Sequence, residues 1–103
     1  MKVQVNTDHN IQGDERLEEV VEHVVTDTLS RFADQLTRVV VHFSDANASK
    51  SGEDDKRCMM EARLAGRRPT AVTHHASTVR DALHGAADKL ERLLDKEIGK
   101  LGR

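Results

Sequence analysis

Hydrophobic and polar residues alternate with a period of two in four short segments of the chain, which is the pattern of half-buried β-strands. These segments are residues 3–6, 37–43, 56–65 and 71–76. The second is rich in β-branched valines, a composition that favours a strand. Polar stretches that contain glycine separate the elements at residues 8–13, 45–55 and 66–69. Such stretches are typical of loops and turns, so we predict four distinct strands.

Two longer segments repeat apolar residues at helical spacing. The first follows Asp14, a suitable N-cap, and its apolar residues recur as far as Phe32. This pattern predicts a helix of about 20 residues. The second segment begins after a capping residue, Ser77 or Thr78, and its apolar spacing continues to about Lys100.

The predicted order of elements is therefore β-α-β-β-β-α. Because a helix joins the first two strands, we expect these to be parallel neighbours linked by a right-handed crossover. The other strands are expected to continue as an antiparallel meander, with both helices on one face of a four-stranded sheet. The fold class is α+β. With 103 residues, we expect one domain, residues 1–103.

Composition narrows the possible functions. Aromatic residues make up only 2% of the sequence, so we expect an aliphatic core around Phe32 and Phe43. The single cysteine, Cys58, excludes an internal disulfide and a cysteine-rich metal site. No run of about 18 apolar residues predicts a membrane span, and the first residues alternate in polarity, unlike a secretory signal. We therefore expect a cytoplasmic protein with no membrane partner.

The net charge of −2 conceals two halves of opposite sign. Residues 1–54 contain 5 Lys and Arg against 11 Asp and Glu, whereas residues 55–103 contain 11 against 7. This asymmetry indicates a surface in the second half that faces a polyanion.

The last helix sorts its side chains into three arcs when successive residues are placed 100° apart. Apolar residues occupy one arc and predict the buried face: Leu83, Ala86, Leu90, Leu94, Ile98 and Leu101. A separate arc, the basic stripe, collects five cations: Lys89, Arg92, Lys96, Lys100 and Arg103. Acidic residues form the third arc: Asp88, Glu91 and Asp95.

The basic stripe has two interpretations. It is either an ordinary solvated face or a row of cations for phosphates, because residues one helical turn apart are about 5 to 6 Å apart, close to the spacing of phosphates along a nucleic-acid strand. Arg57, Arg63, Arg67 and Arg68 add to the positive half. Arg67 and Arg68 precede Pro69 in a turn, where guanidinium groups either reach a nucleic-acid backbone or simply favour solubility.

The final helix reads ALHGAADKLERLLDK over residues 82–96 and continues to Lys100 and Leu101. This sequence resembles the last helix of the ribosome hibernation promoting factor and ribosome-associated inhibitor family, also called sigma-54 modulation proteins, and the β-α-β-β-β-α order of that family matches nearly the whole chain. The resemblance implies a short form that occupies the decoding region of the small ribosomal subunit, contacts 16S ribosomal RNA, and blocks messenger and transfer RNA in stationary phase or stress.

Carried over by position, the family's basic helix residues correspond to Lys89, Arg92, Lys96 and Lys100. Arg63, Arg67 and Arg68 are secondary candidates for RNA contact. We expect the 30S subunit and its 16S rRNA as partners, with no cofactor, no metal and no small-molecule substrate. A monomer is the simplest expectation, although the sequence does not decide the oligomeric state.

The first helix departs from the family pattern, which usually places lysine or arginine there. Residues 14–34 contain only two basic residues, Arg16 and Arg31, against seven acidic ones. Because an acidic helix facing RNA would be repelled, either this helix faces away from RNA or the function of the chain has drifted from that of the family. An alternative function is a regulatory protein-interaction module that uses the acidic first helix as its contact surface.

The residues that could support metal binding or catalysis form no recognisable site. His74 and His75 are adjacent and should point to opposite faces of a strand, so they are poorly placed to share an ion. Cys58 lies in a predicted strand as a small buried residue, without a base to activate it. The sequence therefore does not predict an enzyme.

Overall fold

The computed structural model describes residues 1–8, 11–45 and 56–101, the last three of these by their backbone only. Its elements, in chain order, are β1 (Lys2–Thr7), α1 (Glu15–Thr28), a short 3-10 helix (Ser30–Phe32), β2 (Leu36–Asp45), β3 (Lys56–Leu64), β4 (Thr70–Ala76) and α2 (Val79–Leu101). The β-α-β-β-β-α order is confirmed. Most of the predicted turn at residues 45–55, and residues 9 and 10 of the predicted first loop, lie outside the described residues.

The four strands form one sheet in the order β1-β2-β3-β4. β1 and β2 are parallel, whereas the β2–β3 and β3–β4 pairs are antiparallel, as the crossover and meander predicted. α2 packs on β3 and β4, while α1 packs on β1 and α2. Both helices thus cover one face of the sheet, and no described element covers the other, which we call the open face.

The core between the helices and the sheet is aliphatic, as expected from the composition. Met60 of β3 and Leu90 of α2 have no exposed surface, and Phe32 and Phe43 are 5% and 2% exposed. Burial on β3 alternates strictly, because every second side chain points at the helices. This alternation places Arg57, Glu61 and Arg63 on the open face.

α1 is shorter than predicted. Its α-helical part has 14 residues and ends at Thr28, after which the chain continues as the 3-10 helix. No cation lies in the last turn of α1, and Asp27 there is unfavourable near the negative end of the helix dipole. The predicted cap is confirmed, since Asp14 Oδ1 accepts a hydrogen bond of 2.9 Å from the Leu17 N–H.

A β-bulge interrupts the pairing of β2 with β3. Leu36 pairs with Leu64 and Arg38 with Arg63, so Thr37 is the extra residue. Because of the bulge, Leu36 and Arg38 lie on opposite faces of the sheet: Leu36 is buried in the core, whereas Arg38 lies on the open face. The Thr37 hydroxyl donates a 3.0 Å hydrogen bond to the Arg63 carbonyl, which fixes the bulge against β3.

Candidate nucleic-acid interface

The basic stripe of α2 is exposed along its described length. Lys89, Arg92 and Lys96 are all exposed, while Leu90 and Leu94 on the opposite side of the helix are fully buried. The helical period therefore presents the cations to solvent because it directs the leucines to the sheet. Lys100 lies in α2, but the structure describes only its backbone, and Arg103 lies outside the described residues.

Two residues of the acidic arc of α2, Glu91 and Asp95, form ion pairs with a cation from another element. Arg31 of the 3-10 helix places Nη1 3.0 Å from Asp95 Oδ1, and its Nε lies 3.9 Å from Glu91 Oε2. Such exposed ion pairs add little stability. They do affect the charge pattern of α2, because Arg31 and not a described cation of the basic stripe neutralises Glu91 and Asp95. Arg92 and Lys96 make no ion pair with any residue that the structure describes, so their charges remain available to a ligand.

Lys89 lies where the stripe meets the edge of the sheet. Its Nζ donates a 3.0 Å hydrogen bond to the Thr73 carbonyl oxygen of β4. Among the described strands, β4 pairs only with β3, so its outer edge would otherwise present unpaired backbone groups. Lys89 therefore places the stripe at the β4 edge of the molecule and has a structural role beside any role in binding.

The turn between β3 and β4 brings a second group of cations to the same region. Arg67 and Arg68 are exposed, and Gly66 before them adopts a positive φ of 72°, which favours glycine. The Thr70 hydroxyl donates a 3.1 Å hydrogen bond to Glu97 Oε2 of α2. This contact holds the end of the turn beside the last part of α2, so the turn arginines and Lys96 lie at one end of the molecule.

Arg63 differs from the other predicted site residues because it lies on the open face. Its Nε donates to Glu61 Oε1 at 3.1 Å, and its side chain remains about half exposed. Arg57 lies on the same face but at the far end of β3, opposite His75, so it does not join the turn arginines.

The open face also contains two cations, Lys2 and Arg38, that the sequence did not predict as site residues. Lys2 pairs with Arg38 across the parallel β1–β2 ladder, and Arg38 pairs with Arg63 across the β2–β3 ladder. These three residues, which we call the basic row, lie side by side on three neighbouring strands. The polar positions of β1 and β2 could have indicated that Lys2 and Arg38 lie on an exposed sheet face. Their alignment with Arg63, however, depends on the strand register and on the bulge.

The acidic residues of α1 lie away from the stripe. Glu15, Glu18, Glu19 and Glu22 are all exposed, and α1 packs on β1, at the opposite edge of the sheet from β4. The acidic side of α1 and the basic stripe of α2 are therefore separate surfaces of the molecule.

Histidine and cysteine side chains are not gathered into a catalytic or metal site in the described part of the chain. No group of three His, Cys, Asp or Glu residues that could hold a metal occurs among the described residues. His74 lies on the helix side of β4 and His75 is exposed on the open face, so the prediction that they point apart is confirmed. None of the described helices is long and apolar enough to cross a membrane.

Burial raises the pKa of the Cys58 thiol from 9.0 to about 12, because the thiolate would lose its hydration in the core. We expect Cys58 to react with a disulfide reagent at pH 8 at least tenfold more slowly in the native protein than in denaturant, since the thiolate is the nucleophile. The folded state retains the thiol proton to a higher pH than the unfolded state does. The thiol therefore contributes its full stability below pH 9 and loses that contribution between pH 9 and about 12. Equal labelling rates in both states would contradict the buried position.

Together these features define a class: a small α+β protein with one sheet face that no described element covers, and with exposed cations from α2 and from the β3–β4 turn at one edge and end. A family model described as sigma 54 modulation protein / S30EA ribosomal protein matches residues 4–102. The chain belongs to this family, which comprises ribosome-associated modulation factors and is not known as a family of enzymes.

Solved structures share this fold. The Thermus thermophilus Protein Y N-terminal domain is 19% identical in sequence, with a TM-score of 0.73, over 93% of this chain and 98% of its own. A ribosomal subunit interface protein from Coxiella burnetii is 16% identical, with a TM-score of 0.71, over 96% of this chain and 99% of its own. No curated protein matches the chain in sequence.

Proposed function

We propose that this protein is a ribosome hibernation factor that binds the 30S subunit through 16S rRNA in its decoding region. Bound there, it would exclude messenger and transfer RNA by occupying their space when growth stops, without catalysing a reaction. It would act in the cytoplasm, where ribosomes are found. Family membership supports the ribosome as partner. The observation that carries the rRNA contact is the set of exposed cations on α2 whose charges are not used by acidic neighbours in the described structure.

RNA backbone is the chemistry that best matches this surface. Arginine and lysine neutralise phosphates and release condensed counterions, which gives affinity that does not depend on base sequence. The only aromatic residues of the chain, Phe32 and Phe43, are buried, so no phenyl, phenol or indole ring is available for stacking on bases. The residues proposed for the contact are Lys89, Arg92, Lys96 and Lys100, with Arg63, Arg67 and Arg68 as secondary contacts.

A second candidate function is a regulatory protein-interaction module on the same fold. It is favoured by one observation: the glutamates of α1 are exposed and make no ion pair with any described residue. A basic protein partner would complement this helix, whereas RNA would be repelled by it.

Co-sedimentation with purified bacterial 30S and 50S subunits across a salt series tests the proposed function. We expect binding to 30S that weakens steeply with salt, with a log–log slope of about −3 if four phosphates are contacted, because each contact contributes roughly 0.7 to 0.9. The 50S subunit is the matched control, since it presents a similar density of phosphates without the decoding region. Equal binding to both subunits would reject a specific site, and no binding to 30S at low salt would favour the protein-interaction module.

A further inference from the structure

The basic row on the open face is a feature that family membership and the basic stripe do not account for. Lys2, Arg38 and Arg63 occupy consecutive strands, and neighbouring strands are about 4.8 Å apart. Like charges placed directly opposite each other on paired strands destabilise a sheet. In the described structure only one member has an acidic partner, since Arg63 pairs with Glu61. The fold therefore holds at least two cations close together without neutralising them.

The bulge at Thr37 is what creates this juxtaposition. Because side chains alternate along a strand, Leu36 and Arg38 would lie on the same face of a regular β2. With Thr37 as an extra residue, Leu36 is buried while Arg38 lies on the open face beside Arg63. The Thr37–Arg63 hydrogen bond secures this geometry. The bulge therefore places Arg38 directly opposite Arg63 on the open face.

We propose that the open face is a second RNA-binding surface, in which the basic row binds the sugar-phosphate backbone of an RNA segment other than the one along α2. This inference rests on the proposed function. Cations about 5 Å apart can each bind one of two neighbouring phosphates, and arginine binds phosphate through two parallel hydrogen bonds. With both phenylalanines buried, binding at this face depends on phosphates and not on bases.

The two surfaces need separate RNA segments because of their positions. The basic stripe lies along the β4 edge on the helix side of the sheet, as the Lys89–Thr73 contact shows. The basic row lies on the reverse side and extends across β3 and β2 to β1, the opposite edge. A single RNA strand along α2 does not reach Lys2, so the protein is held between two RNA segments.

The test is the double variant K2Q/R38Q, which removes two charges of the row and leaves the Arg63–Glu61 pair intact. We expect its affinity for 30S subunits to fall about tenfold at about 0.1 M salt, and its log–log salt slope to be less steep by about 1.5, the value for two lost phosphate contacts. The matched control is R16Q/R80Q, which removes two exposed cations from the starts of α1 and α2 and should keep the wild-type slope.

Photo-crosslinking gives a readout that a change in stability does not mimic. A photoreactive residue at Gln4, exposed on the open face next to the row, should crosslink to 16S rRNA in the 30S complex. The same residue at Glu22, on the exposed side of α1, should not.

The outcomes separate this inference from the proposed function. If K2Q/R38Q binds with the wild-type slope and Gln4 does not crosslink, while an α2 variant loses binding, the open face is not an RNA surface and the proposed function stands. If the wild-type protein does not bind 30S subunits at all, both are overturned.

Discussion

Replacing Arg92 and Lys96 together by glutamate should lower the affinity of the protein for 30S subunits by about a hundredfold or more at about 0.1 M salt. Each charge-assisted hydrogen bond to a phosphate is worth roughly 1.5 to 3 kcal/mol, so two lost contacts amount to about 3 kcal/mol or more, and tenfold in affinity is about 1.4 kcal/mol. Glutamate adds repulsion from phosphates to this loss. Neither side chain contacts a described acidic residue, so the fold should remain intact.

Two controls make this result specific. The R92Q/K96Q variant separates the loss of cations from the added repulsion and should bind with intermediate affinity. The R16E/R80E variant makes the same change in net charge at exposed positions away from the stripe and should bind nearly as well as the wild type. If R16E/R80E and R92E/K96E lose equal affinity, binding follows net charge and the stripe has no special role.

Substituting Gly85 by alanine should destabilise the protein by about 2 kcal/mol, although alanine is the better helix former by roughly 1 kcal/mol. A Cβ at Gly85 would lie 2.0 Å from Cδ2 and 2.2 Å from Nε2 of His74, far inside van der Waals contact. Because Gly85 is within α2 and His74 is on β4, either the imidazole or the helix must move. Urea denaturation of the wild type and G85A measures this difference in the free energy of unfolding.

A double-mutant cycle with His74→Ala tests whether the imidazole is the cause. Without the ring, G85A should be neutral or stabilising by up to about 1 kcal/mol, so that the two substitutions couple strongly. If G85A alone raises the stability, α2 does not pack against His74 as closely as the structure shows. Equal destabilisation by G85A with and without His74 would assign the effect to some other contact.

Much of the fold could be predicted from the sequence because local patterns determine it. The period-two strands, the period-3.6 helices and the Asp14 cap all appeared in the structure, with strand boundaries shifted by one or two residues. The long first helix was wrong, since apolar residues three apart, such as Leu29 and Phe32, reach the core from a 3-10 turn as well as from an α-helix. Periodicity alone did not distinguish these two conformations.

The candidate site was predicted in part. The exposed, cationic side of α2 followed from the positions of its leucines, because burial of one helical face exposes the other. The partner of the acidic arc did not follow, since Arg31 is distant in sequence from Asp95 and only tertiary packing brings them together. Whether the stripe and the secondary arginines bind rRNA remains a prediction for the variants described above.

What the sequence by itself determined is the set of elements, the side of each that is buried, and the resemblance of α2 to one family, all of which depend on neighbours within a few residues. The tertiary structure decided which cations meet. A single bulge residue, Thr37, reverses the face of Arg38 relative to Leu36, and strand pairing then aligns Lys2, Arg38 and Arg63. These residues are distant along the chain, and their alignment depends on register, which hydrogen bonding between strands fixes and local sequence does not encode.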